Sequence, residues 1–135
     1  MNETIETWIN KAKSKDVMQG LREMIKSELI PINCLPQIDK KMLISEAKVR
    51  ICRMGSYIFK TGDTDNFIYY LLEGKVELQA PNKKTIFVYG GTKRTMQPLS
   101  EKLPREYSAK AVSAVKLFQV NRQLLKSMLP SKKES

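Results

Sequence analysis

The 135-residue chain contains no histidine. That removes Ser-His-Asp and Cys-His nucleophilic catalysis, histidine-bound haem and the common zinc sites. Its two cysteines, Cys34 and Cys52, are too few for a four-ligand metal site, and their apolar neighbours assign both as small, reduced core residues. Asp63 and Asp65 stand two apart, as in a cation loop, but the run Thr61-Gly62-Asp63-Thr64-Asp65-Asn66 has the composition of a tight turn. No metal and no cofactor is expected, and an enzyme is the least favoured class. The pair Tyr69-Tyr70 predicts a strand with one ring in the core and one at the surface. Arg105 is the residue with the most to offer. It follows Pro104, closes an irregular stretch and precedes a β-run. A guanidinium there either receives an anion or bridges to a neighbouring carboxylate, Glu101 or Glu106.

Lysine and arginine number 24 against 14 acidic residues, a net charge of +10. Such a balance favours anionic partners of any kind. The basic residues are scattered, however, and their short runs are not interleaved with aromatics as in a single-strand binder. A solvated basic surface is therefore expected, without direct nucleic-acid binding. The longest uncharged stretch, Leu29 to Ile38, holds two prolines and is about half the length of a membrane span. Met1-Asn2-Glu3-Thr4 lacks the basic region of a signal peptide, and a cytoplasmic protein is expected.

The elements that would position these residues change character along the chain. Ile5, Trp8, Ile9 and Ala12 share one face of a helix, and Val17, Leu21, Met24 and Ile25 continue a stripe to Pro31. Gln37 to Ala47 predicts another helix, with Ile38, Met42, Leu43 and Ala47 inward. From Val49 the period shortens to that of strands. Strands are expected near Val49–Ile51, Tyr57–Phe59, Phe67–Leu72, Lys75–Gln79, Thr85–Tyr89, Ser108–Val112 and Val115–Val120. Met54-Gly55-Ser56, 61–66, Glu73-Gly74 and Pro81-Asn82 would turn between them. Gly90 to Tyr107 has little periodicity, and irregular loops of that length are usually functional. Asn121 is placed to cap a last helix carrying Leu124, Leu125, Met128 and Leu129. Short strands at roughly ten-residue spacing argue for a sandwich or jelly roll closed by helices.

Residues 57–63, Tyr-Ile-Phe-Lys-Thr-Gly-Asp, followed by Phe67-Ile68-Tyr69-Tyr70-Leu71-Leu72-Glu73-Gly74-Lys75-Val76-Glu77-Leu78, resemble the cyclic nucleotide-binding domain family. Gly62, Asp63 and Gly74 match that family's structural turns. Pro104-Arg105-Glu106-Tyr107-Ser108 is similar to the stretch that closes its phosphate-binding cassette, and Leu117-Phe118-Gln119-Val120 to its final strand. Gly90-Gly91-Thr92 with Gln97-Pro98-Leu99 is reminiscent of a bacterial subgroup. The resemblance implies an eight-stranded jelly roll with flanking helices, in a domain over 31–130 between a helical extension (1–30) and a polar tail (131–135). It implies that Arg105 pairs with the phosphate of a cyclic nucleotide, cyclic AMP or cyclic GMP, with Ser108 where many members carry threonine.

The cassette departs from the family between those points. Met96 to Leu103 has no Phe-Gly-Glu run, and Pro98 removes a backbone donor. Glu101 is the candidate ribose carboxylate, although it stands closer to Arg105 than the family's glutamate does. Glu106 sets a negative charge beside any bound phosphate. Two readings follow from the resemblance. One is a regulatory sensor that holds a cyclic nucleotide through Arg105 and moves its flanking helices. The other is a degenerate domain that binds no nucleotide and contacts a partner protein, or a second copy, through those helices.

Overall fold

The computed structural model describes residues 2–4 and 23–130. Among the described residues, eight strands form two antiparallel four-stranded sheets, ordered β1-β2-β8-β4 and β3-β7-β5-β6. The strands are β1 (Asn2–Thr4), β2 (Lys48–Cys52), β3 (Tyr57–Phe59), β4 (Phe67–Glu73), β5 (Lys75–Gln79), β6 (Ile86–Tyr89), β7 (Ser108–Ala111) and β8 (Val115–Asn121). Helix α1 occupies 23–28, α2 Gln37–Glu46 and α3 Arg122–Met128. This is the mainly-β sandwich with flanking helices that the strand spacing predicts.

The layers follow from how β4 and β8 alternate. Ile68, Tyr70, Phe118 and Val120 point toward the helices, where they bury Ile25, Leu29, Ile32, Leu43, Ile44 and Leu125. Tyr69, Leu71, Val115 and Leu117 point the other way, into the space between the sheets with Ile58, Phe59, Val76, Leu78, Val88, Ala109 and Ala111. The first sheet is thus covered on both faces, and the second on one. Tyr69 and Tyr70 are both buried, which corrects the expectation of a surface ring. Tyr70 anchors the segment after α1 through its hydroxyl, which donates to the Ile30 carbonyl at 2.7 Å, and burial raises its pKa well above the ordinary phenol value.

Several local expectations change for similar reasons. Asn2–Thr4 is a strand paired with β2, not the start of a helix. Ile5, Trp8, Ile9, Ala12, Val17 and Leu21 lie outside the described residues, as does the 131–135 tail. Ile25 and Leu29, before the boundary expected at residue 30, are buried in the same core as Phe118. In α2 the inward residues are Leu43 and Ile44, with Ala47 behind them, while Ile38 and Met42 face solvent. Cys52 is buried but Cys34 is exposed, and both are free thiols. Gly62 and Gly74 adopt positive φ, and the Asn121 side chain caps α3 by accepting from the Leu124 amide at 2.9 Å. Among the described residues no helix is long and apolar enough to cross a membrane.

Candidate functional site

Arg105 reaches its position through backbone ties on both sides. The turn between β3 and β4 folds back on itself, with the Lys60 amide donating to Asp63 Oδ2 at 2.9 Å. Its next residues then pair with the end of the long loop. The Gly62 amide donates to the Arg105 carbonyl at 2.7 Å, and the Arg105 amide to the Asp63 carbonyl at 2.8 Å. Ser108 belongs to the same tie, its Oγ accepting from the Thr61 amide at 2.9 Å. Upstream, the loop is fastened where the Leu99 amide donates to the Tyr69 carbonyl at 2.9 Å. Leu99 itself fills the core between the sheets.

These ties drive the Arg105 side chain inward, where only 1% of the residue is exposed. Its partner is neither Glu101 nor Glu106 but Asp65. Nε donates to Asp65 Oδ2 at 3.0 Å and Nη2 to Oδ1 at 2.6 Å, the parallel fork that guanidinium and carboxylate form best. Nη2 also donates to the Phe67 carbonyl at 2.6 Å and Nη1 to the Ser100 carbonyl at 2.6 Å. Of five guanidinium hydrogens, four are engaged. The plane lies 4.1 Å from the Phe59 ring centroid, a cation–π contact in a desolvated setting. Burial alone would raise the Asp65 pKa, but the hydrogen bonds and charge of Arg105, with the Phe67 amide, outweigh it and hold the carboxyl below its ordinary 3.8.

Asp65 and Arg122 are the residues that sequence reasoning missed here. Arg122 opens α3 and is 6% exposed. Its Nη1 donates to the Glu101 carbonyl at 2.8 Å and its Nη2 to the same Phe67 carbonyl at 3.2 Å. Its buried Nε has no hydrogen-bond partner among the described residues. Burial, with the like charge of Arg105, pushes the Arg122 pKa down. The side chains of Glu101 and Glu106 lie outside this knot. Glu101 is exposed at the rim of a cleft of ≈ 470 Å³ that Arg122, Leu125, Lys126 and Leu129 also line. Glu106 forms an exposed ion pair with Lys83. Asp63 keeps its turn role, and no metal-binding group of carboxylates and cysteines occurs among the described residues.

The profile of a family described as "Cyclic nucleotide-binding domain" matches residues 49–132. No curated protein matches the chain. Among solved structures, the sensor domain of the transcriptional regulator DNR from Pseudomonas aeruginosa superposes with a TM-score of 0.66 at 17% identity, covering 79% of this chain and 78% of that one. The regulatory domain of Toxoplasma gondii protein kinase A with cAMP gives a TM-score of 0.68 at 15% identity, covering 87% of this chain and 46% of that one. The regulatory subunit of a cAMP-independent protein kinase A from Trypanosoma cruzi, bound to guanosine, gives 0.69 at 14% identity, with coverages of 87% and 42%. This chain spans less than half of either kinase subunit, and at these identities the likeness shows a shared fold.

Proposed function

The chain belongs to the cyclic nucleotide-binding domain family, and we propose that it is a member whose phosphate arginine serves the scaffold. In that reading the domain is a regulatory interaction module and not a receptor for cyclic AMP or cyclic GMP. One observation carries it: the Arg105 guanidinium is 1% exposed and already bonded to Asp65, Phe67 and Ser100. A phosphate would have to lift the loop at Ser100 and compete with a fixed bidentate carboxylate. Nothing in the other cassette positions offsets that cost. Ser108 Oγ is engaged by Thr61, and the Glu101 carbonyl is held by Arg122. The T. cruzi subunit, cAMP-independent by its own description, supports the same view, since this fold does not entail a response to cyclic AMP.

The sensor reading has one observation in its favour. By its resemblance to the family Arg105 stands at the phosphate-pairing position, and near its centre the loop is tied to the rest of the fold by two backbone bonds, from the Leu99 amide to the Tyr69 carbonyl and from the Ile30 amide to the Met96 carbonyl. Calorimetric titration with cyclic AMP and cyclic GMP separates the two. No heat of binding up to about 1 mM ligand, a standard free energy weaker than about −4 kcal/mol, is the expected result. Micromolar binding that Arg105→Lys abolishes would establish the sensor reading instead.

A further inference from the structure

The sheet β3-β7-β5-β6 has an outward face that no described element covers, and the register shows what stands on it. Tyr57 pairs with Lys110 across β3 and β7, Lys110 with Glu77 across β7 and β5, and Glu77 with Phe87 across β5 and β6. Lys75 and Tyr89 form the next pair along. Three rings are therefore displayed on one face, Tyr57 40%, Phe87 45% and Tyr89 50% exposed. Each carries an ammonium group. Lys75 Nζ lies 4.6 Å from the Phe87 centroid and 5.1 Å from that of Tyr89. Lys60 and Lys110 flank Tyr57 at 5.1 and 5.8 Å. In the linear sequence Tyr57 and Lys60 are 27 or more residues from Phe87 and Tyr89, Lys75 is 12 or more from either ring, and Lys110 is 21 or more from all three. The sheet interleaves them, in the pattern whose absence from the sequence argued against a single-strand binder.

We propose that this face binds single-stranded nucleic acid, with bases stacked on Tyr57, Phe87 and Tyr89 and phosphates neutralised by Lys60, Lys75 and Lys110. Exposed rings on a sheet offer π-faces to unpaired bases, and flanking cations follow the backbone. Tyr57 and Phe87 are three strand spacings apart, about 14 Å, so more than one nucleotide spans them. Glu77 is the one carboxylate at the outward positions of these strands. It accepts a hydrogen bond from Gln79 and leaves the face with more positive than negative charge, in a chain of net +10. An acidic peptide would use the lysines and leave the rings unused. Arg105 takes no part, so the nucleotide titration above has no bearing on this surface.

The test is fluorescence anisotropy of a labelled oligouridylate of about twelve nucleotides against the full chain. Binding is expected to weaken about tenfold or more between about 50 and 200 mM salt. The double variant Phe87→Ala/Tyr89→Ala is expected to weaken it at least about tenfold, with melting temperature preserved. Lys75→Gln/Lys110→Gln keeps the rings and is expected to flatten the salt dependence. No binding by the wild type overturns the proposal. So does binding that survives loss of both rings, which is charge attraction alone. Light scattering that shows a dimer dispersed by the same ring variants, or binding to phosphatidylserine vesicles without binding to the oligonucleotide, would assign the face to another occupant and equally overturn it.

Discussion

Asp65→Ala tests the reading of Arg105 most directly, because it removes the carboxylate without touching the arginine. The guanidinium then loses its bonds from Nε and Nη2 to Asp65 and keeps those to the Phe67 and Ser100 carbonyls. It remains a cation 1% exposed, facing the like charge of Arg122. Stranding one partner of a buried ion pair costs about 3–5 kcal/mol, and the Asp65 side chain is itself 24% exposed, which places the loss near about 3 kcal/mol. A chain of this size is stable by roughly 5–15 kcal/mol, so urea titration should show a large drop in midpoint, matched by a fall of about 10 °C in melting temperature. The effect carries a pH signature. The folded-state pKa of Asp65 is depressed, so its contribution is present above the unfolded value of 3.8 and is lost as pH falls through the folded value. The gap between wild type and Asp65→Ala is therefore constant from neutral pH to about pH 5 and closes below about pH 4. A loss under about 1 kcal/mol at neutral pH, or a gap independent of acid, would refute the clasp.

Further outcomes follow from the same geometry. Arg105→Lys keeps the charge but not the fork and is expected to lower the urea midpoint, with no change in the response to cyclic nucleotides in calorimetry. Glu106→Ala breaks only the exposed pair with Lys83 and should leave the thermal midpoint where it was. Asn121→Ala removes the cap on the Leu124 amide and should cost about 0.5–2 kcal/mol in urea unfolding. Gly74→Ala places a Cβ 2.4 Å from the Ala114 carbonyl oxygen at a φ of +101°. It is expected to destabilise by more than about 1 kcal/mol, and a neutral result would mean that the β4–β5 connection shifts freely.

The strands were legible because their determinants are local. Lys75–Gln79 alternates in sequence and in burial, and the glycines at 62 and 74 stand where positive φ is required. Asn121 was readable for the same reason, since a cap acts within its own turn. What was not legible depends on layers. Nothing near Tyr69-Tyr70 says that their sheet is sandwiched between a second sheet and a layer of helices, and only that arrangement buries both rings. The error in α2 is of the same kind, since the face that meets β8 is chosen by where the sheet lies. Asp65 and Arg105 are 40 residues apart, and the arginine's local carboxylates, Glu101 and Glu106, were the natural candidates. The backbone ties between 62–63 and Arg105 bring Asp65 to the guanidinium, while Glu101 stays exposed and Glu106 pairs with Lys83.

A ligand can shift this domain only through a difference in affinity between its states. In the structure the Arg105 guanidinium is already bonded to the Asp65 carboxylate and lies over the Phe59 ring. Of the two guanidinium groups only Arg105 holds that carboxylate, Arg105 and Arg122 share the Phe67 carbonyl, and the backbone oxygens of Ser100 and Glu101 accept from Arg105 and Arg122 in turn. Under the proposed function, an entering phosphate would have to displace the Asp65 carboxylate and the Ser100 carbonyl from Arg105. The opening cost therefore falls on the ligand with no matching gain, and apparent affinity drops by the fraction of molecules open. Under the proposed function, the domain takes its input elsewhere. The uncovered sheet face, whose rings and lysines touch neither Arg105 nor Asp65, is where the structure leaves chemistry unspent.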